Sequence, residues 1–112
     1  MANYARYIQD GESIDYTPSQ AVNAGQVVVL NDMVGVAKKP IAASALGAIY
    51  VVGVFEFPKA TTAGTGVTAG TKVYWDATNN VITSTAGANK YVGKTVADCA
   101  DADAVVRVRL CP

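Results

Sequence analysis

The chain has no histidine among its 112 residues. That absence removes the usual general base, the commonest metal ligand and the one side chain that titrates near neutrality. A Ser-His or Cys-His nucleophile is excluded with it. Thiols are nearly as scarce. Cys99 and Cys111 are the only two, too few for a disulfide framework or a thiolate zinc site. Both are expected to be reduced in a cytosolic product, with a bridge across the short intervening loop as the minority reading. No apolar run approaches the length of a bilayer span, and residues 1–10 are polar, with Arg6 inside them, unlike a cleavable signal. The expectation is a chain made and used in the cytoplasm.

Net charge is missing too. Nine basic and nine acidic side chains cancel and are spread without runs, whereas phosphate recognition needs clustered Lys and Arg. Neither nucleic acid nor an anionic membrane is therefore expected as a partner. Leucine and phenylalanine are few, so the 51% apolar content is carried mainly by Ala and Val, a composition that disfavours a helical bundle. The length suits one domain with a modest core.

The most informative stretch is residues 67–83, which read as a glycine turn, a strand, an Asp/Asn-rich reversal and a returning strand. Val73, Tyr74 and Trp75 suit a pleated, half-buried surface, and Asn79 and Asn80 tolerate the left-handed backbone of a tight turn. Alternation places Val73 and Trp75 on one face and Lys72 and Tyr74 on the other. Trp75 is thus the candidate centre of the core, its N–H reaching one acceptor; an exposed Trp anchoring a partner is the alternative.

Strand-like runs recur at about ten-residue spacing, which indicates an all-β domain. They cover 26–30, 33–38, 48–57, 90–96 and 104–110. The run 48–57 is apolar on both faces and reads as one central strand ended by Pro58, with Gly53 marking a bulge or a close backbone approach. In the last run Val106, Val108 and Leu110 share a face opposite Arg107 and Arg109. Residues 59–66 read as a flexible surface loop and 97–103 as an acidic loop or short helix. Residues 1–17 contain two extended pieces, 4–8 and 13–17, around the turn pair Asp10-Gly11. They form either an arm suited to lie across another molecule or a frayed terminus or edge strand.

A weak repeat underlies this order. Val22-Asn-Ala-Gly25 followed by Val28 corresponds to Val67-Thr-Ala-Gly70 followed by Val73, and a Val-Gly pair recurs at 34–35, 52–53 and 92–93. Two such units suggest a small barrel or sandwich with pseudo-repeated halves. Gly25, Gly53, Gly70 and Trp75 are the candidate structural residues.

No motif carries chemistry. Residues 87–95 resemble a phosphate-binding loop, but five residues separate the two glycines where four are required, and the following segment is strand-like where a helix is needed. The carboxylates Asp10, Glu12 and Asp15, and Asp98, Asp101 and Asp103, lack the pattern of a calcium loop. Solvated acidic loops describe them better. Neither cofactor nor metal is expected, and an enzyme is the weakest class.

The order of motifs does resemble a known family. Residues 1–4 (Met-Ala-Asn-Tyr), 11–17 (Gly-Glu-Ser-Ile-Asp-Tyr-Thr), Ala24-Gly25 with 27–30, 34–37, 53–59 (Gly-Val-Phe-Glu-Phe-Pro-Lys), 70–76 (Gly-Thr-Lys-Val-Tyr-Trp-Asp) and 106–110 together are similar to the capsid cement, or head decoration, proteins of tailed phages. Members are sometimes labelled recombinases, a label that the absence of a P-loop and of a basic cluster contradicts. The resemblance implies a compact β-tulip-like barrel or sandwich at 18–112 behind an extended arm at 1–17. It also implies a virion protein on the capsid exterior that bridges neighbouring major-capsid subunits, as a homotrimer in preference to a dimer or monomer. The arm residues Tyr4, Arg6, Tyr7, Ile8, Ile14 and Tyr16 are the candidates for the shell contact, through strand addition to a capsid-protein edge. A non-enzymatic adaptor or carbohydrate-binding module is the alternative.

Overall fold

The repeat in the sequence is also a repeat in hydrogen bonding. In a computed structural model, which describes residues 5–111, Val22 and Ile41 exchange two backbone bonds of 2.8 Å each. The Gly25 N–H donates to the Ala37 carbonyl (2.6 Å), and the Ala37 N–H donates to that of Gln26 (3.0 Å). The second unit reproduces the scheme. Val67 and Cys99 exchange bonds of 2.9 and 2.8 Å, Gly70 donates to Thr95 (2.8 Å) and Thr95 donates to Thr71 (3.0 Å). Gly25 and Gly70 sit at φ of 82° and 85°, a backbone that a Cβ would strain, which is why each unit has glycine there.

The strands that follow build two antiparallel sheets. The first comprises β1 (Ser13–Tyr16), β2 (Val27–Leu30), β3 (Met33–Val36) and β4 (Gly47–Tyr50), in the order β1-β4-β3-β2. The second comprises β5 (Gly53–Pro58), β6 (Lys72–Asp76), β7 (Val81–Thr83), β8 (Lys90–Thr95) and β9 (Val105–Leu110), in the order β5-β9-β8-β6-β7. Without β7 the two orders coincide: the opening strand lies at one edge with the closing strand beside it, a Greek-key arrangement. The fold is all-β and sandwich-like, with no helix among the described residues. The second sheet curls until Lys59, just past β5, meets Ile82 of β7 in a single parallel bridge. One bridge is not a ladder, so the barrel stays open.

The main core fills the curl. Phe57, Val73, Trp75, Ile82, Val92, Val106, Val108 and Leu110 line it, and Val34 and Val36 of β3 close it from the first sheet. Trp75 is 7% exposed and lies against Phe57, with ring centroids 6.2 Å apart. Its expected acceptor is absent among the described residues. No buried side-chain polar atom there lacks a partner. A satellite core of Val22, Val28, Ala37, Ile41, Ile49 and Val51 covers the other face of the first sheet. The ion pair of Lys90 with Asp32 (2.9 Å) ties β8 to the β2–β3 turn.

One expected element is two. The run 48–57 does not form a single central strand: β4 ends at Tyr50, the chain crosses between sheets at Val51 and Val52, and β5 begins at Gly53 as an edge strand. Gly53 has a φ of 132°, closed to other residues, and the backbone turns there from one sheet into the other. The expected reversal after Trp75 does form. The Asp76 carboxylate accepts the N–H groups of Thr78 (3.0 Å) and Asn79 (3.2 Å) and the Asn79 side-chain amide (2.9 Å), while Asn80 takes a φ of 55°. Both cysteines are free, Cys99 buried and Cys111 exposed. Burial pushes the Cys99 thiol above its ordinary pKa.

Candidate interaction surface

Of the acidic residues read as solvated loops, Asp98, Asp101 and Asp103 are exposed and each also holds a backbone N–H. Asp98 accepts the Ala69 N–H (2.8 Å), Asp101 the Gly66 N–H (2.6 Å) and Asp103 the Ala100 N–H (2.9 Å). The backbone N–H groups of Gly64 and Gly66 hold the Asp101 carboxyl below its ordinary pKa. Residues 97–103 are irregular, not helical. A hollow of about 670 Å³ lies between 66–68 and these aspartates, but the carboxylates around it are already occupied. Among the described residues no group of three His, Cys, Asp or Glu converges to hold a metal ion. Lys59 differs most from the reading of 59–66 as a surface loop. It is 5% exposed, and its ammonium donates to the carbonyls of Ala60 (2.7 Å) and Asp101 (3.0 Å) and to Thr65 Oγ1 (3.1 Å), pinning that loop to 97–103.

Two surfaces stand out among the described residues. The first is the N-terminal segment. Residues 5–10 have no regular structure, and Tyr7 and Ile8 are 77% and 70% exposed. The Tyr7 hydroxyl donates to Asp10 (2.7 Å), and that bond raises the phenol's pKa. Arg6 is exposed beside them, and Tyr4 lies outside the described residues. Ile14 and Tyr16 stand apart from this group, because β1 is the edge strand of the first sheet and both side chains pack on the satellite core. The Glu12 carbonyl accepts the Val51 N–H (2.9 Å). In an antiparallel ladder that phase turns the backbone N–H and C=O of Ile14 and Tyr16 toward β4 and those of Ser13 and Asp15 outward, without a partner among the described residues.

The second surface is the outer face of the second sheet, invisible in the linear charge pattern. Cross-strand register sets Val54 opposite Arg109, Arg109 opposite Lys94 and Lys94 opposite Lys72, so one row crosses four strands. Beside it Glu56 stands opposite Arg107, its Oε2 3.8 Å from the guanidinium Nε. The Val96 N–H donates to the Arg107 carbonyl (3.1 Å), and Pro58 pairs with Val105. All of these side chains are exposed. Cations scattered through the sequence are thereby gathered on one face.

A family model described as phage cement protein matches residues 8–110. The chain belongs to the phage cement protein family. No curated protein and no solved structure matches it. The match spans both sheets and begins within the exposed N-terminal segment, so the cement-family unit is the whole duplicated body. Membership makes this a structural phage protein associated with the virion capsid, in keeping with an all-β body whose acidic loops are engaged in holding its own backbone. No helix among the described residues is long and apolar enough to cross a membrane.

Proposed function

We propose that this cement protein binds the outside of the phage head and bridges neighbouring major-capsid subunits, without catalysing any reaction. The family match across residues 8–110 carries this reading. The exposure of Tyr7 and Ile8, two large apolar side chains with no core to fill, supports a role for the N-terminal segment in the shell contact. The outward backbone groups of β1 add an unpaired edge next to it, suited to accept or extend a strand of the capsid protein. Three copies around a symmetry axis would present three such edges in one closed assembly, and a trimer is the oligomer we favour.

The test is sedimentation with purified heads that lack this protein. Saturable binding at a fixed stoichiometry is expected, and absence of binding would refute the reading. Removal of residues 1–10, which leaves β1 and both cores in place, is expected to weaken binding. Undiminished binding by that truncation would remove the segment from the contact.

A further inference from the structure

We propose that the outer face of the five-stranded sheet is a docking surface for a carboxylate-bearing protein surface, and, on the reading above, that the surface belongs to the phage shell. Three observations lead there. First, the row Arg109, Lys94, Lys72 places like charges directly opposite one another on adjacent strands twice in succession. Such pairs destabilise a sheet, and neighbouring strands are only about 5 Å apart. Second, seven of the nine carboxylates are engaged elsewhere, Asp10 by the Tyr7 hydroxyl among them, which leaves Glu12 and Asp15 at the N-terminal end of the first sheet. Glu56 is taken by Arg107, Asp32 by Lys90, and Asp76, Asp98, Asp101 and Asp103 by backbone N–H groups. On a protein of zero formal charge, a face left this positive is complementary to carboxylates on another molecule.

Third, the rest of the face selects protein over nucleic acid. Val54, Val96 and Val105 are 57%, 44% and 48% exposed and border the cations. A phosphate backbone would leave them in water, whereas a protein surface can cover them while its carboxylates meet the row. The aromatic pair nearby is not a stacking platform. Tyr74 and Tyr91 pack edge to face, centroids 5.9 Å apart, and both are half-buried, so their ring faces are partly used.

The experiment compares the wild type with the triple variant Lys72→Glu, Lys94→Glu, Arg109→Glu and with the milder Lys94→Gln. All these positions are exposed and folding is followed by circular dichroism. The triple variant is expected to bind undecorated heads at least about tenfold more weakly at low ionic strength, with Lys94→Gln intermediate. The difference should shrink as salt is added. Wild-type affinity in a folded triple variant overturns the proposal while leaving head binding by the wild type, and so the reading above, intact. Should the triple variant fail to fold, Lys94→Gln alone decides: unchanged head affinity and salt dependence overturn the proposal. Loss of wild-type binding to a single-stranded or duplex oligonucleotide, with head binding unchanged, would assign the face to nucleic acid instead. Loss of self-association in sedimentation equilibrium, again with head binding unchanged, would assign it to a second copy of the chain.

Discussion

The two halves of the molecule share a backbone plan and differ in what they hang on it. Each begins with an edge strand, passes through a glycine at φ near 85° and returns so that its last strand lies beside its first. The first half fully buries only aliphatic side chains, with Tyr16 partly buried against them, and ends at β1 as an edge strand. The second adds β7, curls, and surrounds the aromatic pair Phe57 and Trp75. The second half thus buries the larger side chains and presents the charged face, while the first carries the exposed N-terminal segment and lends Val34 and Val36 to the main core.

The equivalence can be tested at its tightest point. Gly35 faces Val28 and Gly93 faces Val73 in matching registers. A Cβ on Gly35 would lie 2.9 Å from the Ile49 Cδ1 and 3.2 Å from the Tyr50 carbonyl oxygen, a tight contact mainly with a side chain, whereas one on Gly93 would fall on the backbone carbonyl of Arg109. Gly93→Ala is therefore expected to lose about 3 kcal/mol or more, or not to fold, and Gly35→Ala about 1–2 kcal/mol. Equal losses in denaturant unfolding would break the asymmetry. Trp75→Ala should cost about 3–5 kcal/mol, against about 1 kcal/mol for Ile49→Val in the satellite core. Lys59→Ala leaves the Ala60 and Asp101 carbonyls without their shared donor and is expected to cost about 1–3 kcal/mol. Faster proteolysis within 59–66 would confirm that the lysine holds that loop.

Acid should act on three carboxylates whose folded pKa is depressed. They are Asp32, by its hydrogen bond and charge contact with Lys90, Asp76, by the Asn79 side chain and backbone, and Asp101, by Gly64 and Gly66. A depressed pKa contributes stability above the unfolded value and loses it as pH falls through the folded one. The melting temperature is thus expected to be level above about pH 5 and to drop below about pH 4. Two of the three lie in the second half, so Asp76→Asn combined with Asp101→Asn removes two contributions and should flatten the drop more than Asp32→Asn, which removes one. The smallest effect on stability belongs to the N-terminal segment: Tyr7→Ala with Ile8→Ala should stay within about 0.5 kcal/mol of wild type. Its loss should appear in head binding alone.

What the chain reveals before folding follows from how local each feature is. The hairpin after Lys72, the alternation of 105–110 and the paired glycines at 25 and 70 depend on neighbours in sequence, and each is legible there. The break at Gly53 is not, because Val51, Val52 and Val54 are strand formers on either side of it and only the backbone angle reveals the change of sheet. The edge role of 13–16, named as an alternative in the sequence, needed β4 to settle it. Least legible is the cationic row, since Lys72, Lys94 and Arg109 are far apart along the chain and meet only through the order β9-β8-β6. Asp98, Asp101 and the ammonium at 59 were hidden for a related reason: each has a backbone partner in a distant loop, whereas Asp103 bonds to Ala100 within its own loop.

The contrast between the two thiols has a practical use. Cys99 is shielded and disposed to stay protonated, while Cys111 stands in solvent one residue past Leu110, at the end of the strand that carries Arg109. A maleimide dye would therefore attach at one known place, without mutagenesis, and report by its emission when something settles over the neighbouring arginine.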